Sequence, residues 1–373
     1  MSATKYVHKL KGDVKKARLK RAETVVAVDL FCGAGGLTKG LVDAGIAVKL
    51  GIDLDESCRH PYESNNLGAK FLRQDISKID AKEISGAWKN ADIRVLAGCA
   101  PCQPFSSYTQ GQDWKRRDQW GLLLAFAKLA IKTKPHIVTM ENVPDLARHN
   151  VFAVFRRSLE AHGFSIAWDV LDCRKYGIPQ SRRRLVLIAS RLGVPELPRP
   201  THAKPDSWKT VREAIGALPA IAAGSSDPSD ALHVSSNLSP INLARIAASK
   251  PGGTWRDWPA HLVAPCHKRE SGSTYPGVYG RMSWDLPSPT ITGQCYGFGN
   301  GRFGHPKQHR AISLREAAIL QTFPRNYSFV PSGSRIGMAS IGQLIGNAVP
   351  PRMAKVIGLA IRKHISSYRE SMA

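Results

Sequence analysis

The chain has 373 residues, 43% of them hydrophobic, and 53 Lys and Arg face 29 Asp and Glu for a formal charge of +24. That length and apolar content suffice for a sizeable core and two domains, and so large a basic excess argues against an enzyme of small neutral metabolites and for a polyanionic partner, most simply nucleic acid. No apolar run reaches membrane-spanning length, Gly121–Ile131 being far too short, and seven dispersed cysteines suit a reducing, intracellular, cytoplasmic setting.

Residues 1–23 carry Lys5, Lys9, Lys11, Lys15, Lys16, Arg18, Lys20 and Arg21 against Asp13 and Glu23, with no apolar stretch of the secretory kind. They read as a basic arm able to touch phosphates. From Thr24 to about Ser190 strand-like and helix-like segments alternate. Thr24–Phe31 is a Val-rich strand, Gly36–Ala44 a helix, Ala47–Ile52 a second strand, and a helix then runs to about Asn65. Between the first strand and helix lies Asp29-Leu-Phe-Cys-Gly-Ala-Gly-Gly36, where glycine permits a tight turn and close approach of a ligand. Asp53, twenty residues after Gly33 and at the end of the second strand, has the spacing of a carboxylate that binds ribose hydroxyls. Thr38 stands where a dinucleotide fingerprint needs its last Gly, so the loop better suits a nucleoside with a short side arm than a pyrophosphate.

Ile93–Ala97 leads as a buried strand into Gly98-Cys-Ala-Pro101-Cys102-Gln103-Pro-Phe-Ser106. Cys102 therefore sits just past a strand's carboxyl end, where open α/β sheets keep their chemistry; as a thiolate it is a nucleophile, and otherwise a buried structural cysteine. After an amphipathic helix over Asp118–Lys132, the strand Pro135–Met140 ends in Glu141-Asn142-Val143, on the same sheet edge as Cys102. Glu141 could protonate a heterocycle under thiolate attack; its plainer reading is a solvated loop carboxylate. Val151–His162 reads as a helix, and Ser165–Leu171 and Arg184–Ser190 close the series. Alternation puts Arg182 and Arg184 of Gln180-Ser-Arg182-Arg183-Arg184 on one face, suited to an anion or a pyrimidine carbonyl. This order implies an α/β fold with a mostly parallel, doubly wound sheet.

After Arg191, Pro, Gly, Ser and Trp become frequent and Gly224–Pro240 reads as mostly loop, so a second, smaller and irregular domain is expected over 191–306. Helical character returns at Ser313–Gln321 and from Pro350 to about Tyr368, the last helix packing back on the first domain. Cys99-x-x-Cys102 has no partner pair, so no metal site is expected.

Taken together, six stretches in order resemble the DNA (cytosine-5)-methyltransferase family: Asp29–Gly36, Pro101-Cys102-Gln103, Glu141-Asn142-Val143, Gln180-x-Arg182-x-Arg184, Arg315-Glu316…Leu320-Gln321…Phe323-Pro324, and Gly346-Asn347-Ala348-Val349. The resemblance implies a Rossmann-like catalytic domain at 24–190, a target-recognition domain at 191–306, late motifs at 307–345 and a final helix at 346–373. It implies S-adenosylmethionine as cofactor, held by Asp29, Phe31, Gly33, Gly35, Gly36, Asp53, Leu54, Asp75, Ile76, Pro101, Asn347 and Ala348. Cys102, Glu141, Arg182 and Arg184 become the catalytic set, acting on a cytosine flipped out of double-stranded DNA. Gln103, Ser106, Tyr108, Gln110, Lys115, Arg116 and Thr290 become candidate DNA contacts, in a loop closing over the duplex and in the lead-in to the late motifs. A monomer working beside a cognate restriction endonuclease is expected, associated with the nucleoid through its DNA. A tRNA cytosine-5 methyltransferase and a catalytically inactive DNA-binding fold are the alternatives.

Overall fold

The computed structural model describes residues 24–101, 113–273 and 277–372, with the backbone alone for 113–119, 271 and 273. The basic arm, Cys102, Gln103, Ser106, Tyr108 and Gln110 lie outside the described residues, and Lys115 and Arg116 are placed by backbone only.

A seven-stranded sheet forms the centre. Its strands are β1 (Val25–Leu30), β2 (Ala47–Asp53), β3 (Lys70–Arg73), β4 (Ile93–Gly98), β5 (Ile137–Asn142), β6 (Ser165–Asp172) and β7 (Arg183–Ser190). They run in the order β3-β2-β1-β4-β5-β7-β6, all parallel except β7, which is antiparallel to both neighbours. β1 and β5 are buried along their whole length, as expected of strands covered on both faces. Helices α1 (Gly36–Asp43), α2 (Arg59–Asn65), α3 (Ala81–Ala87), α4 (Asp113–Thr133) and α5 (Asn150–Glu160) alternate with these strands. One apolar layer packs α3, α4 and α5 on one face through Ile84, Phe126, Phe152 and Phe155. The other joins Leu37 and Leu41 to Met353, Ile357 and Ile361 of the last helix.

The remaining elements are α6 (Val211–Ile215), the hairpin β8 (Ser226–Asp227) and β9 (Asp230–Val234), α7 (Pro240–Ala248), α8 (Glu270–Ser273), α9 (Leu314–Leu320), α10 (Met338–Asn347) and α11 (Pro351–Met372). α11 does return to the sheet. It crosses α1 at small residues, since a Cβ on Gly40 would stand 2.3 Å from the Cβ of Ala354, and one on Gly358 2.6 Å from that of Ala44. The hairpin corrects the expectation of loop over Gly224–Pro240: Asp227 accepts hydrogen bonds from the Ser229 amide and hydroxyl and closes a turn between two short strands. Packing does not break near residue 306 either. Val211, Ile215 and Leu232 share one core with Ile312, Leu320, Phe323, Ile341 and Ile345. Trp255 and Trp258 belong to a separate small core with Phe298 and Ile246.

The sheet order reverses at β1 and β4, which opens a crevice at their carboxyl ends. Leu30 is opposite Gly98, and Gly98 opposite Met140. Phe31 and Cys99, just past β1 and β4, and Glu141, within β5, thus stand at one level on three adjacent strands about 4.8 Å apart.

Candidate active site

The loop after β1 is shaped by conformations most residues avoid. Phe31 has φ 58°, a left-handed conformation that costs on the order of 1–2 kcal/mol for a residue with a Cβ. Gly35, at φ 87°, is wedged so that a Cβ would stand 2.5 Å from Asn66 Nδ2, and a Cβ on Gly36 would stand 2.3 Å from the Val349 carbonyl oxygen. Gly33 differs: its φ is +51° and a Cβ there would meet nothing within 4 Å. It faces open space, as the wall of a ligand site does. The Asp53 carboxylate braces this turn, one oxygen accepting the Gly33 amide at 2.9 Å and the other the Asp55 amide at 3.0 Å.

Asp29 is fully buried in β1. Thr38 donates to its Oδ2 at 2.7 Å, and the Tyr62 hydroxyl lies 2.9 Å from Thr38 Oγ1. Thr38, standing where a dinucleotide fingerprint has its last glycine, thus has a structural role of its own. Asp29 Oδ1 has no partner. Burial pushes this carboxyl up to about 7, Thr38 opposing and Asp53 adding to the rise. A buried, orphaned oxygen of this kind favours a cationic ligand, because a positive charge nearby would offset the cost of ionising it. Leu54 is 63% exposed beside Asp53, and Asp75 caps its own turn through the Ser77 amide and hydroxyl, hydrogen bonds that hold its carboxyl below the usual range. Ile76 is buried, while Pro101 and Asn347 are exposed at the crevice and Ala348 half-buried.

Glu141 is no solvated loop carboxylate. β5 continues through Asn142, and Glu141 is 3% exposed. Its Oε2 accepts from the Cys99 thiol at 3.2 Å, and Arg184 Nε lies 2.9 Å from Oε1. That approach is poorly aligned, so Oε1 has a charge beside it but no hydrogen bond. Next to it the Asn142 amide donates to the Ala100 carbonyl at 3.0 Å, anchoring the segment that leads into Pro101.

Arg182 and Arg184 share a side, as alternation predicts, but differ in surroundings. Arg182 is 3% exposed and donates to the carbonyls of Ile291 at 3.0 Å, Gly346 at 3.3 Å and Ala348 at 3.4 Å. Burial, then the neighbouring Arg184, pulls it down to about 10. Gln180 and Gln321 complete this seam: Gln180 donates to Gln321 Oε1 at 2.7 Å and accepts the Ile291 amide at 3.0 Å, while Gln321 donates to Ile345 and Ala348 carbonyls at 3.0 and 3.1 Å. Thr290 joins it by donating to the Ser181 carbonyl at 2.7 Å. The sequence contains these glutamines in recognisable stretches, yet nothing local marks them as partners.

The geometry gathers a strained glycine loop, an orphaned acid and a buried Glu–Arg pair at one sheet edge. A family model, described as C-5 cytosine-specific DNA methylase, matches residues 25–363. The chain belongs to the C-5 cytosine-specific DNA methylase family. Type II methylase M.HgiDII of Herpetosiphon aurantiacus is 48% identical over 346 residues, 92% of this chain and 96% of that one. Type II methyltransferase M1.HphI of Haemophilus parahaemolyticus is 31% identical, over 90% of this chain and 86% of its own. Among solved structures, a putative DNA modification methyltransferase from an E. coli prophage superposes with a TM-score of 0.71 at 21% identity, covering 92% of this chain and all of that one. That likeness bears on the fold. As a DNA cytosine-5 methyltransferase the protein needs a methyl donor, and S-adenosylmethionine serves methyltransferases generally. Gly33 facing open space and Asp29 Oδ1 without a partner fit a cationic nucleoside of that kind.

The two kinds of glycine separate by experiment. Gly33→Ala should weaken cofactor binding at least tenfold, because its Cβ enters the ligand's space, and its φ of +51° should cost stability by only about 1 kcal/mol. Gly36→Ala should lower stability by roughly 1–3 kcal/mol through overpacking against a carbonyl. Titration calorimetry and thermal melts check both; a Gly33→Ala protein that binds normally would remove the loop from the cofactor site.

Proposed function

We propose that the protein is a Type II, sequence-specific DNA methyltransferase that flips its target cytosine and attacks it with Cys102. The observation that carries this is the buried Glu141 carboxylate, one oxygen tied down and the other left without a hydrogen bond, on the strand next to the one leading to Cys102. Carbon 5 of cytosine is a weak nucleophile. Addition of the Cys102 thiolate at carbon 6 forms an S–C6 bond and moves the ring electrons toward carbon 5, while Glu141 Oε1 holds or protonates the N3/N4 edge. Bound S-adenosylmethionine supplies the electrophilic methyl. Loss of the carbon 5 proton to a base, such as water, then releases the Cys102 thiolate and restores the aromatic ring. The chemistry requires the base outside the duplex.

Arg184, whose Nε lies 2.9 Å from Glu141 Oε1, has the position to face the base carbonyl. Arg182, with its donors on three carbonyls, positions the turn at Gly346–Ala348 rather than touching the base. Phe31 and Leu54 would pack on the adenine, Asp53 would take the ribose hydroxyls and Asp75 the adenine edge, with Gly35, Gly36, Ile76, Pro101, Asn347 and Ala348 shaping the rest of the cofactor site. Gln103, Ser106, Tyr108, Gln110, Lys115, Arg116 and Thr290 are assigned to the DNA side, Thr290 also donating to the Ser181 carbonyl. The Type II names and high coverage of the relatives support a cognate restriction endonuclease as functional partner.

A duplex carrying 5-fluorocytosine at the target tests the mechanism. Fluorine at carbon 5 cannot leave as a proton does, so wild-type protein with S-adenosylmethionine should form a covalent complex stable to denaturing gels. Methyl transfer to ordinary DNA without any such adduct on the fluorinated duplex would rule out covalent attack.

A further inference from the structure

We propose that Cys99 is a positioning residue for Glu141, its thiol selecting which carboxylate oxygen is turned to the target base. The inference rests on the reading of Glu141 given above and adds a residue that reading does not use.

Cys99 follows β4 directly, at the level where Gly98 pairs with Met140, so it stands beside Glu141 across the strand boundary. Its amide donates to the Leu30 carbonyl at 3.3 Å, which ties it to β1 as well. The Sγ–H donates to Glu141 Oε2 at 3.2 Å. The rotation of a glutamate carboxylate about its last torsion is broad and nearly two-fold. Arg184 alone, near Oε1 but misaligned, does not fix it. The thiol does: with Oε2 engaged, Oε1 keeps its free lone pairs. The other charged or titratable groups acting on this site are Arg184, Arg182 and the buried Cys173. Arg182 is committed to carbonyls.

With the donor gone the carboxylate is free to turn, so the reaction should slow. Cys99→Ala, Cys99→Ser and Glu141→Gln are compared with wild type in steady-state methylation, with cofactor binding and thermal melts alongside. Cys99→Ala should lose about tenfold in kcat, a cost typical of one hydrogen bond to a charged group, with KM, cofactor affinity and melting temperature close to wild type. Cys99→Ser, which keeps a donor, should recover most of the rate. A wild-type kcat in Cys99→Ala would overturn the proposal, as would a slow Cys99→Ser that is also less stable, the mark of a packing role. If Glu141→Gln turns over normally, the reading of Glu141 falls; if Glu141→Gln is dead and Cys99→Ala keeps the wild-type kcat, only the positioning role falls.

Discussion

Cys102→Ala should abolish methyl transfer, by on the order of 10⁴-fold or more, and leave DNA and cofactor binding within a few-fold of wild type. The size follows from the chemistry. Without a bond at carbon 6, carbon 5 has no electron pair to give, and orientation by the surrounding pocket does not create one. The substitution removes one small side chain, while the Gly33–Gly36 turn, Asp53 and the Asn142–Ala100 hydrogen bond that shape the cofactor side are untouched. Binding and turnover should therefore separate cleanly in gel shifts and methylation assays on one preparation. A variant that still methylates at a tenth of the wild-type rate would take Cys102 out of the mechanism.

The second large effect concerns stability. Arg310 is fully buried and pairs with Glu316 through both guanidinium nitrogens at 2.7 Å. Glu316 also accepts the Ser313 amide at 2.7 Å and returns the Ser313 cap of α9, so one carboxylate closes a capping box and neutralises a buried cation. Glu316→Gln should cost roughly 3–5 kcal/mol, the usual penalty for stranding a buried charge, and the double variant Arg310→Met with Glu316→Gln should recover much of it. Denaturant melts measure both; additive losses in the double variant would deny the coupling.

Acid should find the same cluster. Burial holds His305 down to about 4 against its ordinary 6.5, with Glu316 opposing and Arg310 and Arg281 reinforcing the drop. The unfolded chain binds a proton there that the fold resists, so stability falls as pH drops from about 6.5 to 4 by about 3 kcal/mol. Glu316 acts lower. Burial would raise it, but Arg310 outweighs that and holds it below its ordinary 4.5, so its contribution is present above 4.5 and goes as pH falls through the depressed value.

Most of the sheet was legible. β1, β2, β4 and β5 are short Val-, Ile- and Leu-rich runs bounded by turns, the pattern of parallel strands covered on both faces, and the antiparallel β7, largely buried, shares it. β3 carries no such signal, because Lys70-Phe-Leu-Arg73 is four residues long with charged ends, and α10 carries little, because glycines at 342 and 346 dilute its apolar face. Those glycines answer to packing: a Cβ on Gly346 would stand 2.1 Å from the Thr292 carbonyl carbon.

At the site, residue types were readable and partnerships were not. Glu141 looked the same in the sequence whether solvated or buried; only the extension of β5 past Met140 decides it. Arg182 and Arg184 looked alike, yet one is bound to carbonyls more than a hundred residues away along the chain and the other lies against Glu141. Thr38 departs from a dinucleotide fingerprint in the sequence, and no local pattern connects it to Asp29 or Tyr62, its hydrogen-bond partners. Contacts between distant segments carry no signature in either segment alone.

The most direct test is bisulfite sequencing of plasmid DNA from a methylation-free host expressing the wild-type protein, beside one expressing Cys102→Ala. Cytosines protected within one short sequence, and converted in the variant, are the expected result. Complete conversion in both hosts, with soluble protein present, would contradict the assignment of sequence-specific DNA cytosine methylation.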